Sequence, residues 1–404
     1  MLQSAESKYI YNDAKYGIEY DYNLINKTFV KMLKDCKAPK GLFMPNTARM
    51  YLYKWLVFLS ERSTSKTTQW ILYGMTMNAL YQTEVIYVRN DKEQITRQFN
   101  EKLFSVITMK EYGYIPYLTN GKYNSIHVDK VSKEVFYCHR DESGLLDEIA
   151  VNPFMHIICV SDSERYTSGF NVPRGDLIIF DEFTRGTYKD DMWLLFNNII
   201  ATVRRERESL RIVMLSNTTN PYHKYLVELG ISKELKHLSK GKTLVITAEL
   251  GARVYVQWVD VDMHKTSIFK RASLEYHGFA NEKLKAIYGG DWEYKNFPRL
   301  PKEVKNDIID RHVYIEFMGR LMVLEFMTGD LPCINIRPYT RTEPQDDAVV
   351  ITDDEMNCYK ANHVKGNRQN MKFLLINMAY GRVFYATNDC GTMIYDFVKK
   401  LQYI

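Results

Sequence analysis

The sequence predicts an α/β protein whose sheet carries a phosphate-binding loop, and three observations predict it. Short apolar runs of strand length alternate with stretches whose apolar residues recur at helical spacing. One strand-to-helix junction, SERSTSKTT at positions 60–68, carries a Lys-Thr pair. A later apolar strand, DLIIFDEF, ends in an Asp-Glu pair. At 404 residues, 46% hydrophobic and 25% charged, the chain is long enough for two domains with separate cores. No stretch approaches the roughly 18 apolar residues that span a bilayer. The opening MLQSAESKYIYNDAKYG lacks the apolar core of a signal peptide, so a cytoplasmic protein is expected. Six scattered cysteines without a C-x-x-C pair predict reduced thiols and no zinc site, and Cys138 beside His139 lacks further ligands nearby. The formal charge of +5 has its basic excess in residues 1–305. Such a balance is compatible with a nucleic-acid partner and equally with a solvated basic surface.

The elements follow in order. YLYKWLVFLS is an apolar run of strand length, and behind the SERSTSKTT junction Trp70, Tyr73, Met77, Leu80 and Tyr81 mark a helix. TEVIYVRND reads as a strand ending in Arg89, followed by a helix with Ile95, Phe99, Leu103 and Val106 on one face. SIHVDKVSKEVFYCHR alternates like a hairpin, while PFMHIICVSD, DLIIFDEF and RIVMLSN read as buried strands. TLVITAEL and RVYVQWVDVD form an expected pair at the sheet edge. The charged stretch over residues 263–305 predicts a helical linker subdomain after an α/β domain over 1–262. Residues 306–404 then form a small α+β domain, with one hairpin expected in HVYIEFMGRLMVLEFM and another in FLLINMAYGRVFYATND.

The junction is half of the motif G-x-x-x-x-G-K-[ST]. Lys66 and Thr67 occupy the Lys-Thr positions, while Ser60 and Ser65 stand where the motif has glycine. Serine is the mildest replacement that still lets the backbone approach phosphates. The strand-loop-helix context is the one an anion site requires, because the helix N-terminus offers free N–H groups and the positive dipole end. Ser60, Arg62, Ser63, Thr64, Ser65, Lys66 and Thr67 are therefore the candidate nucleotide contacts. DLIIFDEF places Asp181 at the C-terminal end of a buried strand, where it can order Mg²⁺ together with Thr67, and Glu182 beside it can polarise an attacking water. Ser216 and Asn217 end RIVMLSN, and the Asn217 amide there either contacts the γ-phosphate or the water or simply caps the strand. In ATVRRERESLR, Arg204, Arg205 and Arg207 are either fingers reaching a neighbour's site, with Arg205 and Arg207 preferred, or a solvated helical face.

Several of these segments together resemble the large terminases and viral DNA-packaging ATPases. Arg62 stands four residues before Lys66, as in that family's loops; VIYVRND, SERYTSGFNVPRGDLIIFDEF, LSNTTNPYHKY and LKAIYGGDWEY resemble further family segments in the family's order. The resemblance covers roughly residues 50–295 and departs at Ser60 and Ser65. It implies an additional-strand (ASCE) P-loop ATPase domain, a helical linker and an RNase H-like C-terminal domain. It further implies an ATP- and Mg²⁺-dependent motor that drives double-stranded DNA into a preformed capsid. Such a motor would work in the host cytoplasm as a ring on the portal, most like the pentameric, RNA-assisted motors of small protein-primed phages. Of the C-terminal acids only Glu316 and Glu325 fall in the expected strands and most of the others lie in a polar loop, so that domain is expected to be a vestigial nuclease. A helicase-type translocase and a DNA-binding scaffold with an inactive loop remain as alternatives.

Overall fold

The computed structural model describes residues 20–39, 43–45, 49, 52–60, 65–92, 95–162, 172, 174–184, 191–205, 207–217, 223–235, 238–248, 251–260, 297–301, 309–317, 320–329, 332–340, 349–352 and 365–402. The chain divides into two compact units, Met1–Trp292 and Glu293–Ile404.

In the first unit, α1 (Tyr22–Asp35), β1 (Trp55–Ser60), α2 (Lys66–Tyr81), β2 (Glu84–Arg89), α3 (Arg97–Phe104) and α4 (Tyr114–Leu118) come first. The strands β3 (Ser125–Val128), β4 (Glu134–Arg140), β5 (Leu146–Ile149), β6 (Met155–Cys159) and β7 (Gly175–Asp181) follow. Then come α5 (Met192–Arg204), β8 (Arg211–Asn217), α6 (Lys224–Glu228), α7 (Ser232–Leu235), β9 (Thr243–Thr247) and β10 (Arg253–Trp258). They build a ten-stranded sheet in the order β3-β4-β6-β2-β7-β8-β1-β10-β9, with β5 paired to β4. The six strands from β6 to β10 in that order run parallel. The expected hairpin is the antiparallel β3-β4 pair, and the expected edge pair is β9-β10.

The parallel strands are apolar without alternation because both faces of the sheet are covered. On one face Phe58, Val85 and Leu177 pack under Trp70 and Tyr73 of α2; on the other Val57, Val88 and Phe180 pack against Phe196 of α5. Helix α2 lies close to the sheet at Gly74, where an added Cβ would come within 2.5 Å of a Val85 methyl. One element went unanticipated: α1 is capped by the Asp21 carboxylate, which accepts from the N–H groups of Asn23 and Leu24. It buries Ile25, Phe29, Met32 and Leu33, the i, i+4, i+7 spacing of an amphipathic helix.

The second unit contains β11 (Ile309–Phe317), β12 (Arg320–Met327), β13 (Cys333–Pro338), β14 (Val349–Thr352), α8 (Lys365–Ala379), β15 (Val383–Tyr385) and α9 (Asn388–Gln402). Its sheet has the order β14-β11-β12-β13-β15, and the hairpin expected in HVYIEFMGRLMVLEFM is β11-β12. The second expected hairpin is corrected: FLLINMA belongs to α8, and only VFY is a strand. Helical spacing decided the matter, since Met371 and Leu374 are buried while Phe373, Leu375 and Ile376 are exposed. Gly381 and Arg382 close the end of the helix. Gly381 adopts φ 67°, its N–H reaches the Met378 carbonyl, and the Arg382 N–H reaches the Asn377 carbonyl.

Of the expected linker, residues 263–296 lie outside the described residues. Its end, Phe297–Arg299, packs on the second unit: the Tyr385 N–H donates to the Pro298 carbonyl, and Arg299 donates to the Tyr385 carbonyl at 2.8 Å. Among the described residues no helix is long and apolar enough to cross a membrane.

Candidate active site

Four adjacent parallel strands, β2, β7, β8 and β1, end side by side, and their last residues are Arg89, Asp181, Asn217 and Ser60. The register pairs Ser60 with Asn217 and Asp181 with Leu215. One strand, β8, therefore separates the strand leading into the Lys66 loop from the strand ending in Asp181 and Glu182. Helix α2 begins at Lys66 and brings Thr67 to the same edge.

Ser65, in the motif's second glycine position, adopts the left-handed conformation (φ 63°, ψ 20°) just before α2. Glycine takes that conformation freely, and serine takes it at a cost of order 1–2 kcal/mol. Its carbonyl starts the helix by accepting from the Gln69 N–H at 3.0 Å. Arg62, Ser63 and Thr64 lie outside the described residues.

Lys66 is buried, and its Nζ donates to Ser60 Oγ at 2.5 Å and to Asn217 Oδ1 at 3.3 Å. Burial pulls its pKa down to about 8, against the upward pull of Asp181 and Glu182. The Asp181 carboxylate accepts at both oxygens. Oδ1 takes the Thr67 hydroxyl and the Glu182 N–H, each at 3.0 Å; Oδ2 takes the Tyr87 hydroxyl at 2.6 Å and Arg89 Nη1 at 3.3 Å. Burial raises the Asp181 pKa, opposed by the Arg89 charge and the Tyr87 hydrogen bond. Glu182 sits in a left-handed turn (φ 50°), its carboxylate 2.8 Å from Arg89 Nη2 and its side chain 31% exposed.

Thr67 and Asp181 thus present two hard oxygens 3.0 Å apart, a donor pair suited to Mg²⁺. Around the acid pair, the Ser216 and Thr184 hydroxyls hydrogen-bond to each other, and Asn90 Nδ2 donates to the Phe183 carbonyl while Asn90 Oδ1 accepts from the Tyr225 hydroxyl. His223, in the LSNTTNPYHKY segment, is half-buried, and desolvation pushes its pKa down to about 4, which keeps the ring neutral at pH 7.

The strands bring Ser60, Ser65, Lys66, Thr67, Asp181, Glu182 and Asn217 together. Arg204, Arg205 and Arg207 lie elsewhere. α5 ends at Arg204, and all three precede the start of β8, at the opposite edge of the sheet from the strand ends. The finger role expected of Arg207 is corrected: its guanidinium is buried, paired with Asp176 at 3.4 Å and hydrogen-bonded to the carbonyls of Val172, Gly175 and Val203. A group so enclosed cannot extend to another subunit. Arg205 is exposed. Two site residues were missed. Arg89 was legible as the charged last residue of a buried strand, though not as a neighbour of the acid pair; Tyr87 was not, because an aromatic two residues inside an apolar strand reads as core.

The arrangement defines a large mixed α/β sheet with a lysine, a threonine and an acid pair gathered at the ends of parallel strands. The fold, taken apart from these side chains, is similar to that of solved phage packaging motors. The Phi-28 gp11 DNA packaging motor matches with a TM-score of 0.51 at 13% identity, over 87% of this chain and 95% of its own. The bacteriophage Phi-29 viral genome packaging motor assembly matches with a TM-score of 0.48 at 16% identity, over 89% and 99%. The ATPase domain of a Thermus phage large terminase matches with a TM-score of 0.37 at 9% identity, over 65% and 96%. No family model and no curated protein sequence matches the chain.

Proposed function

We propose that this chain is an ATPase motor that drives double-stranded viral DNA into a preformed capsid, working as a homo-oligomeric ring on the portal. The observation that carries the proposal is the convergence of Lys66, Thr67, Asp181 and Glu182 at one strand edge. Its additional-strand character is supported by β8 lying between β1 and β7, and the fold shared with the Phi-28 motor supports the packaging role. The pentameric ring and the help of a packaging RNA are part of the same proposal.

In this reading the backbone at the start of α2 and the Lys66 ammonium hold the nucleotide phosphates, and Thr67 and Asp181 would hold a Mg²⁺ ion, whose contribution would be positive charge beside the transferred phosphoryl group. Tyr87 and Arg89 fix the Asp181 carboxylate so that Oδ1 faces Thr67. Glu182 takes a proton from the attacking water. Asn217 contacts the outermost phosphate beside Lys66. Hydrolysis then loosens one subunit's grip on DNA.

The test is ATP hydrolysis by the full chain in Mg²⁺, with and without double-stranded DNA. Turnover that rises on adding DNA, independent of base sequence and falling steeply with salt, is the expected result. No turnover under any condition would favour a scaffold with an inactive loop. Strand separation of a forked duplex would favour a helicase-type translocase.

We further propose that the C-terminal unit cuts no DNA. The Glu325 carboxylate is already engaged by Arg337 Nε at 2.6 Å and Asn335 Nδ2 at 2.7 Å. Glu325 pairs across the hairpin with His312, four residues along β11 from Glu316, which puts the two acids roughly 13 Å apart at about 3.3 Å per residue. Two-metal cleavage needs ions about 3.5–4 Å apart. Plasmid DNA should stay intact with the full chain in Mn²⁺ or Mg²⁺. A metal-dependent nick abolished by Glu316→Ala or Glu325→Ala would sink this assignment.

A further inference from the structure

A buried ammonium is stable only where oxygens take its protons. For Lys66 the facing groups come from three strands: Ser60 ends β1, Asn217 ends β8, and Asp181 and Glu182 stand at the end of β7. Nζ donates to Ser60 Oγ at 2.5 Å and to Asn217 Oδ1 at 3.3 Å. Ser60 itself has no exposed surface. Its side chain thus points at the lysine from the position where a phosphate-binding loop carries its first glycine. Glycine there would leave the ammonium one acceptor short and a void beside it.

We propose that Ser60 is a positioning residue for Lys66: its hydroxyl holds the ammonium where nucleotide phosphates arrive, so restoring the motif's glycine weakens the site. The inference rests on the nucleotide reading above and assigns the departure from the motif a role of its own. The hydrogen bond joins a charged donor to a neutral oxygen, a contact whose loss is felt about tenfold in affinity. Ser60→Ala removes the hydroxyl with little change of volume, and Ser60→Thr keeps it.

The test has two independent readouts on the full chain. Calorimetric titration in EDTA compares ATP, ADP and AMP, because the loop lysine reaches the β- and γ-phosphates and AMP has neither. Ser60→Gly and Ser60→Ala should bind ATP and ADP about tenfold more weakly than wild type, with AMP unchanged and Ser60→Thr restored. Equal or tighter ATP binding by both Ser60→Gly and Ser60→Ala overturns the proposal, and so does an equal loss for all three nucleotides. The second readout needs no nucleotide: the rate of Lys66 acylation by a small amine reagent at one fixed pH, followed by mass spectrometry. That rate should rise several-fold in Ser60→Gly and Ser60→Ala and stay near wild type in Ser60→Thr. Should wild type bind no nucleotide, the functional reading fails on the first readout, while an unchanged acylation rate in the variants removes the Ser60–Lys66 contact on the second. If Ser60→Gly fails to fold, Ser60→Ala decides both.

Discussion

Glu182→Gln is expected to lower the turnover number by about 10²-fold or more while leaving ATP binding in Mg²⁺ near wild type, the effect of losing a positioned general base. The substitution is nearly isosteric. The amide can still accept from Arg89 Nη2, which sits 2.8 Å from the present carboxylate, and the backbone turn at φ 50° is unaffected, with the residue's N–H still on Asp181 Oδ1. What goes is the capacity to accept a proton. Lys66→Ala should differ in kind. It deletes the buried cation that the proposed function sets against the nucleotide phosphates, so binding itself should disappear. Steady-state hydrolysis paired with equilibrium binding of a fluorescent ATP analogue separates the two. A Glu182→Gln protein that turns over at the wild-type rate removes Glu182 from the mechanism.

Arg207→Ala is expected to destabilise the protein by about 3–5 kcal/mol, the cost of leaving a buried charge without its partner. Asp176 is 1% exposed, with the Arg207 guanidinium on one oxygen and the Tyr20 hydroxyl on the other at 2.7 Å. Removing the arginine also strips a donor from three backbone carbonyls. Domains of this kind are stable by about 5–15 kcal/mol in total, so the loss should appear directly in a urea midpoint. Its activity would fall through unfolding, and mixing with Glu182→Gln subunits would restore nothing. Arg205→Ala is the contrasting variant. That exposed residue can be removed without touching the core, so a folded, inactive protein rescued by mixing with Glu182→Gln would mark Arg205 as acting across subunits. A fully stable Arg207→Ala protein would contradict the buried pairing.

Much of the parallel sheet and its loop was legible in the residues. Strands buried on both faces must be apolar throughout, so β1, β2, β6, β7 and β8 each announced themselves as runs bounded by polar residues. Because ligands gather beyond the carboxyl ends of parallel strands, the last residue of each run was also a site candidate, which located Asp181, Asn217 and, beside its strand, Lys66. The C-terminal unit was less legible. The stretch FLLINMA satisfies both strand and helix by composition, and only the sheet it covers selects which side chains are buried.

What the sequence determined by itself was local: the order of elements, the polar ends of strands, and the Lys-Thr and Asp-Glu pairs. Strand order is not local. The neighbours of β7 are β2 and β8, separated from it by long stretches of chain, and no periodicity in a strand says which other strand lies beside it. Strand adjacency alone put Tyr87 and Arg89 on Asp181 and Asn217 beside Lys66. It also set Arg207 inside the protein against Asp176, where a run of arginines reads as surface. A charge is exposed by default because water solvates it best, and it is buried only when the fold supplies a counter-charge and acceptors in place. Those partners come from distant parts of the chain, which is why the tertiary structure alone decides them.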